Sequence, residues 1–396
     1  MQHHHPARFG LRVAVVGGSL TGTATALFLA QAGFPHVTVH EAAPAAATLG
    51  GGLLSLEHPV LDRLDLAGLP QQHYVHLRSA TIWQVPVRNR QAGRPAALHY
   101  PGRFTTWTRL AAALTAAATG WLPAGAIRTG DRVTGLTEHQ RRPRLHLAGG
   151  GTAEADLVVF ADGRASTGRA LLDPHRRLHY AGYVAHRGTL AGDPLGLHDF
   201  WRLQPGAGLQ LNSCPVPGGL DWTCYRDTAA DRFAELFGAP PHQRVYVPGR
   251  RVGDAARAEL DEAAARVLPP GHADVVHATA DRAAFPVLDI DPPTRAVWPI
   301  GDGFAVLTGD ALAPVRAHTG RGANHGLEQA AALTAVLRQY ARHGADLGTA
   351  LHGWQRRILP AVHDTLRLGP RLGARAGLGG AVPANREPAL AAISIR

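Results

Sequence analysis

The opening stretch of the chain constrains its fold most. An apolar run, Val13–Val16, passes directly into Gly17-Gly18-Ser19-Leu20-Thr21-Gly22, and a second run ends at Glu41. The pattern predicts a strand over 11–16, a helix over 21–32 and a strand over 36–40, a βαβ unit of the expected ~30 residues. Small residues at a strand-to-helix turn let backbone approach a ligand closely, and the free amides and dipole of the helix N-terminus favour an anion there. Ser19 stands where the usual G-x-G-x-x-G has its middle glycine; its hydroxyl is small and can donate to a phosphate. Glu41, at the tip of the second strand, suits ribose hydroxyls and disfavours a ribose phosphate.

The same device recurs twice. Asp162-Gly163 follows the apolar run Leu157–Phe160, with Ser166 and Arg169 behind it, and Gly309-Asp310-Ala311 follows the run 305–307. Gly320, Gly322, Ala323 and Asn324 come soon after. Chain that leaves buried strands through glycine and carboxylate brings amides and one acceptor to a large polar cofactor, and the ordered set points to FAD. Asp162-Gly163 is either a plain polar turn or, with Arg169, a place near cofactor phosphates and a gate for a nicotinamide donor. Asp310 is expected to accept from a ribityl hydroxyl. The amides at 322–324 open a helix that would face the flavin pyrimidine edge. Gly51 and Gly52, in a Gly50-Gly51-Gly52 run, mark a loop whose backbone can approach the ligand.

At 396 residues, with 45% apolar and 18% charged content, the chain can bury more than one core. The net charge of +10 comes entirely from Arg, with no Lys, and the Arg residues are scattered without interleaved aromatics. That argues against nucleic-acid binding and for attraction of phosphate-bearing cofactors or an anionic substrate. Cys214 and Cys224 make neither a disulfide framework nor, without histidine at ligand spacing, a metal site. A reducing cytoplasm fits, and no membrane-length apolar run is present, so neither membrane nor metal is expected. A homodimer is left open. His3-His4-His5, tag remnant or natural, stays outside the fold argument.

The expected fold is α/β: a Rossmann-like FAD-binding domain, with a parallel sheet, helices and a small β element, interleaved with a sheet-rich substrate domain and followed by C-terminal helices. FAD-binding parts are expected at 10–76, 101–178 and 285–345, substrate-domain parts at 77–100 and 179–284, and a C-terminal helix and tail at 346–396. Strand-like runs and aromatic residues dominate from Tyr180 to about residue 275, a region read as the wall of a substrate chamber. A long helix is expected from about 323 to 342. Beyond Gly369 the Gly/Ala/Pro-rich tail reads as irregular.

These residues resemble the class A FAD-dependent aromatic hydroxylases, the p-hydroxybenzoate hydroxylase fold, and within it the branch typified by 2,6-dihydroxypyridine 3-hydroxylase. The first turn as Val-Val-Gly-Gly-Ser carries the likeness. So do Arg103-Phe104-Thr105, Tyr180-Ala181-Gly182-Tyr183-Val184, Arg187-Gly188, Pro215-Val216-Pro217-Gly218 and Arg316-Ala317-His318. The resemblance implies bound FAD, transient NADH or NADPH without a second Rossmann domain, and O2 as co-substrate. It implies ring hydroxylation through a flavin C4a-hydroperoxide. Epoxidation, N-oxidation, Baeyer–Villiger insertion, or a non-redox use of FAD are the alternatives. Carried over, Gly17, Ser19, Thr21, Gly22, Glu41, Arg109, Asp162, Asp310 and residues 322–324 would contact FAD. The chain departs from the family at Ala42, where Arg is usual, at Ala317, where many members have Pro, and at Gln329, where Asp is common.

Such a reaction needs a base or positive field near the ring, because a phenol or hydroxypyridine attacks faster as its anion. His318 is a candidate base or a hydrogen-bonded structural histidine. Arg316 is a candidate for holding a substrate anion, or phosphates, or a surface carboxylate. On the strand beginning at Tyr180, alternation puts Tyr180 and His186 on one face and Tyr183 and Arg187 on the other, so one pair lines the chamber. Trp201, Trp222 and Trp298 are either stacking platforms or core.

Overall fold

The computed structural model describes residues 9–45 and 52–379. Its first sheet has the strand order Val297–Ile300, Gly303–Leu307, Leu157–Phe160, Val13–Val16, Val37–Glu41, Ile127–Thr129. All neighbours run parallel except the hairpin of the first two. The central strands are apolar on both faces because both are covered, as a parallel sheet requires. Helix Leu20–Gln31 packs between helices Gly322–His343 and Trp107–Trp121 on this sheet. Fully buried Val15, Leu27, Val159, Val306 and Leu333 lie in the resulting core; each such side chain contributes about 1.5–3 kcal/mol of burial. The parallel order sets Gly17, Glu41, Asp162 and Asp310 at the same edge, each at or just past the C-terminal end of its strand. That edge is where ligands bind in open α/β sheets. A small antiparallel element, Val133–His139, Arg142–Leu147 and Thr152–Glu154, leads into the third of these strands.

The second large sheet has the order Arg282–Ile290, Leu178–Ala191, Gly219–Asp227, Leu209–Val216, Phe200–Gly206, Thr81–Arg88, with short strands beyond. Helices Asp254–Val267 and Pro270–Ala278 cover one face through Leu203, Leu211, Trp222 and Cys224. Helix Ala230–Phe237 covers the neighbouring part of that face around Val184. These three helices lie where the sequence pattern suggested mainly strands. The buried stripe of Asp254–Val267 is mostly alanine (Ala256, Leu260, Ala263, Ala264), a weak periodic signal.

The tail also differs from expectation. The last helix, Leu347–Arg375, runs through Gly369 and Pro370 instead of fraying there. Gly369 and Gly373, one turn apart, lie against the side chain of Arg316. Added Cβ atoms would sit 3.1 Å from Arg316 Cβ and 2.7 Å from its Nη1 respectively. Tertiary packing on this glycine face outweighs the weak helix propensity of the segment. The Gly/Ala/Pro-rich residues after 379, Gly51 and His3-His4-His5 lie outside the described residues.

Candidate active site

The turns at the sheet edge abut one another. Gly17 has φ +101°, and a Cβ there would lie 2.6 Å from the carbonyl oxygen of Ala161, so the first turn packs directly on the Asp162 turn. Gly309, at φ +57°, is pressed against Thr21, whose hydroxyl also fills the notch left by Gly326. The guanidinium of Arg169 donates to the carbonyls of Asp310 and Ala311 at 3.1 and 3.0 Å and to that of Arg164. Arg169, expected near phosphates, is thus a buried bracket between the second and third turns. Burial lowers its pKa to about 10.

The carboxylates divide their work. Glu41 accepts from the amides of Gly18 (2.6 Å) and Ala43 (2.7 Å), so it braces the first turn while keeping its outer lone pairs. Asp162 takes the hydroxyl of Ser166 and the amides of Thr167 and Gly168, capping helix Thr167–Leu172. Its side chain is spent on the fold; Gly163 beside it, at φ +74°, has an open face. The Asp310 carboxylate accepts no hydrogen bond among the described residues. Burial raises its pKa against the pull of Arg164 and Arg169. Gln329 holds the Asp310 turn: its Oε1 accepts from the amide of Gly309 (2.8 Å) and the hydroxyl of Thr308 (3.0 Å).

The helix N-termini are equally distinct. Ser19 has N-cap backbone geometry for helix Leu20–Gln31, yet its side chain does not cap, and the first turn holds no acidic residue. Its hydroxyl and the amides of Leu20, Thr21 and Gly22 are left for an outside anion. Helix Gly322–His343 also begins without a side-chain cap. Asn324 is spent elsewhere: it accepts from the Glu57 amide and donates to the carbonyls of Ser55 and Gly320, tying this helix to strand Leu53–Glu57. Gly320 is left-handed, φ +66°, with Ser55 against it, and Gly322 faces Asp310. Ala323 is the next residue of this helix. Gly52 leaves the room that the Arg187 guanidinium occupies. Arg109 donates through Nε to the Tyr74 carbonyl, and the rest of its fork has no partner among the described residues.

From Asp310 the chain crosses to the second sheet. The short turn Ala317–Thr319 carries His318 onto Tyr225, ring centroids 4.3 Å apart, and near Tyr183, at 5.7 Å. The two faces predicted for strand Leu178–Ala191 are present. Tyr183 and Arg187 look toward the cofactor edge, whereas Tyr180 packs on Phe233 and His186 on Phe237 under helix Ala230–Phe237. His186 therefore sits on the wrong face for the chamber; burial, with Arg226 and Arg282, depresses its pKa to about 3. Arg316 is not free for an anion either. It forks onto Asp289 at 2.7 and 2.5 Å, and its Nη1 donates to the Tyr183 hydroxyl at 3.3 Å. Burial raises the pKa of Tyr183, against the opposing pull of Arg316.

His318 stays available. Its Nε2 is shielded from solvent and has no partner among the described residues. Burial, then Arg202 and Arg316, lowers its pKa to about 3, so the imidazole is neutral at ordinary pH. Trp222 is core, its Nε1 donating to Thr279, and Trp298 lies in the core of the first sheet. Trp201 packs against the helix-covered face of the second sheet.

Four chamber residues were not singled out from sequence: Tyr225, Arg202, Gln210 and Asn212. Alternation would have found them. Around residues 201–211 the odd positions Trp201, Leu203, Leu209 and Leu211 pack under the helices, so the even, polar ones face the other way. Cross-strand register aligns Arg187, Thr223, Asn212, Arg202 and Gln84 in one row, with Tyr225 and Gln210 paired beside it.

An uncapped helix start beside glycine, an unbonded buried carboxylate and a second uncapped helix start at one sheet edge fit an elongated dinucleotide with a polyol arm. Comparison with known proteins agrees. The family model described as FAD binding domain matches residues 10–348. The chain is 29% identical over 349 residues to 6-hydroxynicotinate 3-monooxygenase of Bordetella bronchiseptica, covering 83% of each protein. It is 29% identical over 371 residues to 3-amino-4-hydroxybenzoate 2-monooxygenase PtmB3 of Streptomyces platensis, covering 90% of this chain and 86% of that one. The structure of 2,6-dihydroxypyridine-3-hydroxylase from Arthrobacter nicotinovorans shares the fold with TM-score 0.81 at 23% identity, over 96% of this chain and 99% of that one.

Proposed function

The chain belongs to the FAD binding domain family, and from that premise we propose that it is an FAD-dependent monooxygenase hydroxylating an electron-rich aromatic or N-heteroaromatic ring. NADH or NADPH is the reductant and O2 the co-substrate. The observation that carries this reading is the crossing at His318. One short connection runs from Asp310, at the cofactor edge, through His318 on Tyr225, to the helix starting at Gly322. A planar substrate on the second sheet is thereby held against the cofactor edge.

In this reading the Ser19 hydroxyl and the amides of Leu20, Thr21 and Gly22 take the pyrophosphate, with Gly17 and Gly18 admitting it. Glu41 takes the adenosine ribose, Asp310 the ribityl chain, and the amides at Gly322, Ala323 and Asn324 the flavin pyrimidine edge. Gly163, Gly320 and Arg109 complete the rim. Bound FAD supplies electron transfer from the nicotinamide and activation of O2.

The protein orients the ring, excludes water and sets its charge. The neutral His318 Nε2 accepts a hydrogen bond from the substrate hydroxyl. The positive field of Arg202 and Arg316, which adds to burial in depressing the histidine, equally favours the substrate's anion. The FAD-binding and substrate-binding halves correspond to the two large sheets, and a cytoplasmic setting fits two buried, unpaired cysteines. Among the described residues no helix is long and apolar enough to cross a membrane.

The test is direct. Purified protein should retain FAD, and a hydroxylated aromatic or pyridine substrate should stimulate NADH or NADPH oxidation. Correctly folded protein that takes up no FAD sinks the reading.

A further inference from the structure

The chamber face of the second sheet carries one cation unlike its neighbours. Arg187 sits beside Asp221, Arg316 is forked onto Asp289, and Arg321 is held between Glu57 and Glu328. Arg164 has Asp310 as a neighbour. Arg202 has no carboxylate and no hydrogen-bond acceptor among the described residues; its guanidinium lies 5.6 Å from the Phe200 ring centroid, and its Nε is shielded from water. A guanidinium partly withdrawn from water without a partner is unfavourable until a ligand completes it.

Its surroundings are unfinished in the same way. Asn212, directly opposite Arg202 across the strand pair, and Gln210, opposite Tyr225, each present a buried amide oxygen that accepts nothing among the described residues. Their amide nitrogens donate to nothing among the described residues. His318 adds an unpartnered Nε2 beside Tyr225. One face therefore offers a fork of N–H donors, two amides able to donate or accept, and a neutral imidazole acceptor next to an aromatic ring.

Resting on the hydroxylase reading above, the geometry points to Arg202 as the specificity residue for a carboxylate carried on the substrate ring. Its planar fork matches a carboxylate with two parallel hydrogen bonds. Asn212 and Gln210 satisfy the remaining carboxylate lone pairs or a ring N–H, and His318 receives the ring hydroxyl. The substrate class is a hydroxylated aromatic or pyridine carboxylic acid, and rings lacking the acid group leave Arg202 unpaired.

The experiment is a titration of the holoenzyme, read by the flavin absorbance change, with three matched pairs. These are 6-hydroxynicotinate and 2-hydroxypyridine, 4-hydroxybenzoate and phenol, and 3-amino-4-hydroxybenzoate and 2-aminophenol. At least one acid should bind roughly 10- to 100-fold more tightly than its partner, as expected of a charge-assisted hydrogen bond. R202M should bring that acid close to the affinity of its acid-free partner, whose own affinity falls far less; R202K should keep part of the preference. A merely structural role would shift both members of a pair by the same factor. Equal binding within every pair by the unsubstituted enzyme, failure of every acid to bind, or an undiminished preference in R202M overturns the assignment. The first two outcomes are read on the unsubstituted protein, so they stand even if R202M does not fold. Product analysis separates this inference from the reading beneath it. Oxygenation of the carboxylic acids that R202M leaves undiminished removes the anion role alone. Arg202-dependent binding with no oxygenated product removes the hydroxylase.

Discussion

The ring of His318 lies 4.3 Å from that of Tyr225, tilted by 41°, and this contact joins the cofactor edge of one sheet to the open face of the other. The histidine stands on the connection that leaves Asp310 and enters helix Gly322–His343. Any shift of the cofactor-binding turn is therefore felt at the substrate face.

His318→Ala should lower turnover while FAD stays bound, because the side chain touches the chamber and hydrogen-bonds nothing among the described residues. His318→Gln, which keeps an acceptor, should retain more activity than His318→Ala. Steady-state rates and the flavin-to-protein ratio check this; unchanged turnover in His318→Ala removes the residue from the reaction.

Asp310→Ala should weaken FAD binding roughly 10-fold or more while leaving the apoprotein's melting temperature within a few degrees of the unsubstituted chain. The carboxylate has no hydrogen-bond partner to lose among the described residues, only the field of Arg164 and Arg169. A large drop in apoprotein stability would mean that Asp310 is chiefly structural.

Gln329→Ala acts one layer further back. It leaves the amide of Gly309 and the hydroxyl of Thr308 buried without their acceptor, each costing about 1–3 kcal/mol. Both urea stability and FAD affinity should fall, in contrast to Asp310→Ala. Loss of FAD affinity alone would contradict a supporting role.

Acid should destabilise the protein earlier than its carboxylates suggest. His186 and His318 are depressed to about 3 and His325 to about 4, in each case first by burial and then by arginine: two each for His186 and His318, Arg321 alone for His325. The unfolded chain protonates these groups near pH 6.5 and the folded one does not, so their contribution is intact above that value and is lost progressively as pH falls toward 3. Urea midpoints between pH 7 and 4 measure it. Replacing His186, which lies outside the chamber, by Phe should flatten the slope; an identical slope would contradict the account.

Much of this architecture was legible because strong local signals coincide with burial. Val13–Val16 and Leu157–Phe160 are short apolar runs punctuated by glycine or aspartate, and both are interior parallel strands. The two faces of strand Leu178–Ala191 were also legible, but which face meets the cofactor edge is a tertiary fact, set by helix Ala230–Phe237 covering His186. Asp162 and Arg169 were read toward the ligand because a turn residue and a buried cap look alike in sequence. Arg202 was hidden among many arginines; only the carboxylates paired with the others set it apart. The alanine stripe of helix Asp254–Val267 was too faint to separate from its surroundings.

The central claim is that this chain places oxygen from O2 on an electron-rich ring. Its most direct test is turnover of the FAD-loaded enzyme with NADH or NADPH under isotopically labelled dioxygen, using a hydroxylated aromatic or pyridine carboxylic acid, followed by mass analysis of the product. The account predicts one labelled oxygen atom bonded to a ring carbon. Nicotinamide oxidation that yields only hydrogen peroxide with every such ring, or a product whose new oxygen comes from water, contradicts it.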